Sequence, residues 1–119
     1  MHDRTVTVVT LDHGEITLPE PAWCAGHEGQ PPEARSDFLH RSPARAFAYR
    51  GKQLGAAGLV QGPFAEHMSR LAEAHLTLII EGVTLDPVAL YDLAATLDSY
   101  TDRLRDLADE LHAILGGGQ

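Results

Sequence analysis

Between Arg4 and Leu11 the chain alternates in part, with Val6 and Val8 two apart in a Val- and Thr-rich run. A period of two in such a composition predicts a strand. Asp12-His13-Gly14 is a turn signal and Glu15–Leu18 alternates again, so residues 4–18 are expected to form a β-hairpin. Pro19 and Pro21 end it, because neither can donate to a ladder. Alternation returns in Ala44–Arg50, where Phe47 and Tyr49 share a face, and resumes after the turn Arg50-Gly51-Lys52 in Leu54–Gln61. Gly55 and Gly58 in that run suggest a bend or a close approach of another backbone. Phe64–Leu71 is ambiguous and reads as a helical turn at most. Ala74–Glu81 is the best strand pattern in the chain, with Leu76, Leu78 and Ile80 expected to point inward.

After Asp86 the period changes. Leu90, Leu93, Leu97, Tyr100, Leu104, Leu107, Leu111 and Ile114 follow at alternating steps of three and four, the pattern of one helical face. Asp86 is a good N-cap, Pro87 suits the first helical position, Leu85 and Leu90 fit a hydrophobic staple, and Gly116 is a stop signal. A helix over 86–115 would span ~45 Å, against ~20–27 Å for the predicted strands. The first half of the stripe is therefore expected on the sheet, and Leu104, Leu107, Leu111 and Ile114 beyond it. Overhanging leucines favour a homodimer through these four residues. The competing expectation is that residues 19–43 fold beneath them.

That middle segment is rich in proline (Pro19, Pro21, Pro31, Pro32, Pro43) and has little periodicity. It is long for a structureless loop, so something must pin it. Pro32–His40 is readable as one short helix. Together these readings give an α+β fold: a small antiparallel sheet of about five strands against one long C-terminal helix, with an irregular Pro-rich segment. The 119 residues suit a single domain, 1–119, divided into 4–18, 19–43, 44–81 and 86–115.

Charge narrows the partners. Seventeen acids against nine bases give a formal net charge of −8, the wrong sign for a general nucleic-acid or anionic-membrane binder. Asp98, Asp102, Asp106 and Asp109 form an acidic ridge off the apolar stripe. Such a ridge is usually a solvated face, and a basic protein partner is the sharper alternative. No stretch approaches the ~18 apolar residues of a membrane span, and the start lacks the apolar block of a secretory signal. A cytoplasmic location is the default expectation. One cysteine, Cys24, excludes an intramolecular disulfide and four-cysteine metal sites.

Candidate chemistry lies in the middle segment. Trp23-Cys24-Ala25-Gly26-His27 sets a thiol and an imidazole three apart around small residues, and Asp37-Phe38-Leu39-His40 repeats the spacing with a carboxylate. On a helix, positions three apart share a face. A metal site of Cys24, His27, Asp37 and His40 follows, with His13 as the rival fourth ligand. Thiolate, imidazoles and a carboxylate suit tetrahedral Zn²⁺, and ligation would order a segment that its own packing does not.

The runs Leu18-Pro19-Glu20-Pro21-Ala22-Trp23-Cys24-Ala25-Gly26-His27-Glu28, Asp37–His40, Leu78–Gly82 and Leu90–Ala94 resemble an uncharacterised family of short actinobacterial proteins, frequent in Streptomyces and grouped as a domain of unknown function. The P-x-W-C-x-x-H portion is the most specific part. The resemblance implies a high-GC bacterial source, which eight Arg to one Lys fit, and it brings no activity.

Three functions compete. The first is a zinc-stabilised, non-enzymatic binding module that dimerises through its last helix. The second is a zinc-dependent hydrolase, with Cys24, His27 and His40 holding the ion, water in the fourth place and Glu28 or Glu33 as base. The third is metal-free chemistry at Cys24, activated by His27 or His40. The absence of an evident substrate pocket and the poor geometry of a base three residues away favour the first.

Overall fold

A computed structural model describes residues 4–79, 82 and 84–117. Strands β1 (Thr5–Thr10) and β2 (Gly14–Pro19) pair antiparallel, with Val6 opposite Leu18 and Val8 opposite Ile16. Their turn closes at Gly14, whose φ of 63° favours glycine. Thr10 Oγ1 fastens it, donating to the Gly14 carbonyl at 2.8 Å and accepting from the His13 amide at 2.9 Å.

A second sheet holds β3 (His40–Arg41), β4 (Arg45–Tyr49), β5 (Lys52–Gln61) and β6 (Glu73–Leu78). β5 is central: β3 and β4 pair along one side of it and β6 along the other, all antiparallel. The fold is thus α+β, with six strands in two sheets among the described residues and one long helix, α1 (Pro87–Leu115). Asp86 caps α1 by accepting from the Ala89 amide at 2.9 Å, with Pro87 in the first turn. Phe64–Leu71 forms turns and bends rather than a helix. Among the described residues no helix is long and apolar enough to cross a membrane.

Gly55 sits where another backbone comes close. A Cβ there would lie 2.9 Å from the Thr77 carbonyl oxygen, with Phe47 and Leu78 at 3.0 and 3.1 Å. A carbonyl in a ladder cannot move aside as a flexible side chain can. Gly55→Ala is expected to cost about 1–3 kcal/mol, read as a lowered urea midpoint at unchanged slope.

The helix stripe divides in the opposite sense from the sequence expectation. Leu107 is buried with Ala57 and Leu59 of β5, and Leu104, Leu111, Ile114 and Trp23 pack against that cluster. The middle segment, through Trp23, folds beneath the second half of α1, so the four residues assigned to a dimer contact belong to the chain's own core. The first half is the bare part: Leu90 is 58% exposed and Leu97 41%. β4 sets this registration. Phe47 stacks on buried Tyr100, ring centres 3.9 Å apart, and Arg45 pairs with Glu110. The short β4 ends at Tyr49, whose hydroxyl donates to the Ala89 carbonyl at 2.7 Å.

Leu76 and Leu78 also differ from expectation. Leu76 is paired with buried Ala57, so it shares the helix-side face, yet both leucines are about half exposed. β6 is an edge strand, and the single helix, which crosses β4, β5 and β6, covers it only in part. Ile80 lies outside the described residues. The molecule is elongated, 56 × 30 × 26 Å, with a radius of gyration of 17.7 Å against ~13.5 Å for a compact chain of this length. Asp98, Asp102, Asp106 and Asp109 are all exposed.

Candidate metal centre

Four side chains from three pieces of chain converge behind Trp23 and Phe38. Glu20 comes first. The β1–β2 ladder runs one residue past Pro19, since the Glu20 amide donates to the Arg4 carbonyl at 2.9 Å, and this turns the Glu20 carboxylate inward. Cys24 and His27 sit on a knuckle. The Cys24 amide closes a turn onto the Pro21 carbonyl at 3.0 Å, Gly26 adopts φ 100°, and the Gly26 amide points at Cys24 Sγ at 3.5 Å. Arg4 clamps the knuckle by donating to the carbonyls of Pro21 and Cys24. His40 opens β3, and the Ala25 amide ties the knuckle to the neighbouring Arg41 carbonyl at 2.8 Å.

Glu20, Cys24, His27 and His40 each offer one ligand atom, and these atoms all lie within 4.8 Å of one another, so the group could hold a metal ion. Glu20 Oε1 stands 2.9 Å from both His27 Nε2 and His40 Nδ1, and His27 Nε2 is 3.5 Å from Cys24 Sγ. The edges of a tetrahedron with zinc bond lengths are roughly 3.3–3.8 Å, close to these separations. Glu20, Cys24 and His40 are buried, and His27 is partly so.

With His27 neutral, the protons do not account for this arrangement. His27 Nδ1 lies 2.8 Å from Gln30 Oε1, an acceptor, so Nδ1 carries the donor hydrogen. In the neutral ring Nε2 then presents a lone pair to the Glu20 carboxylate, and only the imidazolium donates to Gln30 and Glu20 at once. His40 Nδ1 is buried with no hydrogen-bond partner although the same oxygen is near, because the geometry is wrong for a bond. Burial pushes the His40 pKa down, and the positive charge of a protonated His27 adds to this against the attraction of Glu20. Burial opposes ionisation of Glu20, but hydrogen bonds with His27 and Cys24 and the charges of both histidines outweigh it and hold the carboxyl below its usual range. Burial, with the Glu20 charge, pushes the Cys24 thiol up despite the Gly26 and Arg41 amides. Buried lone pairs facing one another are costly unless something positive lies among them.

Of the residues picked out from spacing, the structure brings together Cys24, His27 and His40. Asp37 stands outside the group. Pro32–His40 is not one helix: a three-residue 3₁₀ turn (Arg35–Asp37) ends in extended backbone at Phe38, and Asp37 is exposed. Positions 37 and 40 therefore lack the shared face that a helix would give. His13 is also elsewhere, at the exposed hairpin tip beside Asp12 at 3.1 Å. Asp12 instead accepts from the Arg35 amide at 2.9 Å and so helps to pin the middle segment. Glu20 had one usable signal: an acid at the end of a hairpin, four residues before the cysteine. Glu20→Ala is expected to weaken zinc binding by about 10–100-fold or more, and Asp37→Ala to leave it unchanged, both read by competition with a chelating dye.

Residues 5–113 match a family described as Domain of unknown function (DUF6907). The chain belongs to this family. The match takes in both sheets and nearly all of α1, so the hairpin, the knuckle and β3 that carry the four ligand atoms all lie within the family domain. No curated protein and no solved structure matches the chain.

Proposed function

We propose that this protein is a small zinc-stabilised binding module, without enzymatic activity, in which Glu20, Cys24, His27 and His40 hold one structural Zn²⁺. The unpartnered Nδ1 of buried His40, 2.9 Å from the same carboxylate oxygen as His27 Nε2, carries the reading. Sulfur, nitrogen and oxygen donors in a set of four suit zinc and fill its tetrahedron, which leaves no open position for chemistry. Gln30 serves as the outer partner that fixes the His27 tautomer. The ion would join the hairpin end, the knuckle and β3, adding to the Arg4 clamp and the backbone hydrogen bonds between them.

Zinc needs the thiolate, and the Cys24 thiol is pushed up by burial, so binding at neutral pH releases the Cys24 proton. Titration calorimetry of zinc into the chelator-stripped full chain, repeated in buffers of different ionisation enthalpy, is expected to show one site and about one proton released per ion. No saturable site, or a site that persists in Cys24→Ser, would contradict the assignment.

A cavity of about 660 Å³ borders Glu20 and His40, with Arg4 and Gln61 on its wall. It favours a second reading, a catalytic zinc held by Cys24, His27 and His40 with water in the fourth place. X-ray absorption at the zinc edge separates the two, since a bound water in place of the Glu20 oxygen that exchanges with added anions supports the hydrolase.

A further inference from the structure

Where α1 leaves the sheet, an apolar groove of about 650 Å³ opens between them. Phe47, Leu54 and Leu78 line the sheet side, and Leu93 and Leu97 the helix side. Two unpartnered features meet at this groove. One is the stripe on the first half of α1, where Leu90 and Leu97 are 58% and 41% exposed. The other is β6, which among the described residues pairs with β5 alone and exposes Leu76 at 48% and Leu78 at 55%. An apolar edge strand is a template for another strand, and leucines at steps of three and four are a seam for another helix.

We infer that this face is the contact between two copies of the chain. A partner that covers both features must bring a free strand edge and an apolar helix side by side, and the chain itself carries that pair. Antiparallel pairing of β6 with its own copy is compatible with a twofold axis, as isologous contacts require. The strand also tolerates self-pairing: its one acid, Glu73, is at one end, so the two Glu73 carboxylates fall at opposite ends of the new ladder. Area agrees as well. The four exposed leucines offer on the order of 400 Å², about half of the ~800 Å² per partner in a standard interface, before the half-buried groove lining is counted. A small apolar ligand would fill the groove but would leave the β6 edge unpaired. The inference does not depend on the metal, none of whose four ligands lines this groove.

The test is the mass of the full chain by light scattering at high micromolar concentration. The expected value is twice the 12.9 kDa of one chain. Leu97→Asp and Leu76→Lys, both at exposed positions, should each halve it, with circular dichroism and metal content unchanged. A wild-type monomer, or a dimer that survives either substitution, overturns the inference. Hydrogen exchange on the wild type gives a reading free of any folding defect. The outward amides of β6 should exchange more slowly as concentration rises, and rates independent of concentration would overturn it.

Discussion

Cys24→Ser is expected to release the metal and to lower folding stability by about 3–5 kcal/mol, a drop in Tm of roughly 12–25 °C for a domain of this size. Serine matches cysteine in shape but offers no thiolate, so the substitution removes a ligand with little change in packing. The effect should exceed that of deleting a small buried side chain, because Glu20 and His40 stay buried beside one another with nothing positive between them. It should fall short of the ~10–16 kcal/mol of zinc-finger peptides, since other bonds also hold the segment. Among them are the Arg4 clamp, the Asp12–Arg35 bond and the Leu11 amide on the Glu33 carbonyl at 3.0 Å. A strong chelator should reproduce the shift in the wild type and leave Cys24→Ser unaffected. Equal melting of wild type and variant, with and without chelator, would contradict the structural role.

The second large effect lies in α1. Leu107→Ala is expected to cost about 2–5 kcal/mol, as leucine-to-alanine changes in filled cores do, because Leu107 is 3% exposed among Ala57, Leu59 and the Trp23 ring. Leu90→Ala, at a position of the same stripe, should cost under about 0.5 kcal/mol in a monomer. Denaturant unfolding at low protein concentration measures both. The reverse order would mean that the second half of the helix overhangs the sheet, as its length alone suggests.

That contrast shows what could be read from the residues. Local signals were sufficient for most elements: the Asp86 cap, the Gly14 turn, the alternation in β1, β4 and β6, and the unbroken stripe each act over a few residues, and β1, β4 and α1 lie within a residue of where their patterns put them, while β6 ends at Leu78, short of the Glu81 its pattern reaches. Placement of those elements was not legible. Which half of the stripe is covered depends on where β4 meets the helix, and that is fixed by Phe47 on Tyr100 and Arg45 on Glu110, contacts between residues more than fifty apart in sequence. The candidate site divides the same way. Cys24 and His27 share one knuckle, so their convergence follows from spacing. Spacing joins His40 to Asp37 only on a helix, which the extended backbone at Phe38 removes. Glu20 enters only through the hairpin ladder, because its amide bond to Arg4 aims the carboxylate. A buried glutamate is rare unless it is paired, but burial is a property of the fold and not of the Pro19-Glu20-Pro21 tripeptide.

Native mass spectrometry of untagged full-length chain, purified without chelator, tests the metal assignment most directly. One zinc ion per chain is expected, lost on Cys24→Ser and on Glu20→Ala and kept on Asp37→Ala. Chain free of metal, or zinc retained by Cys24→Ser, would contradict it.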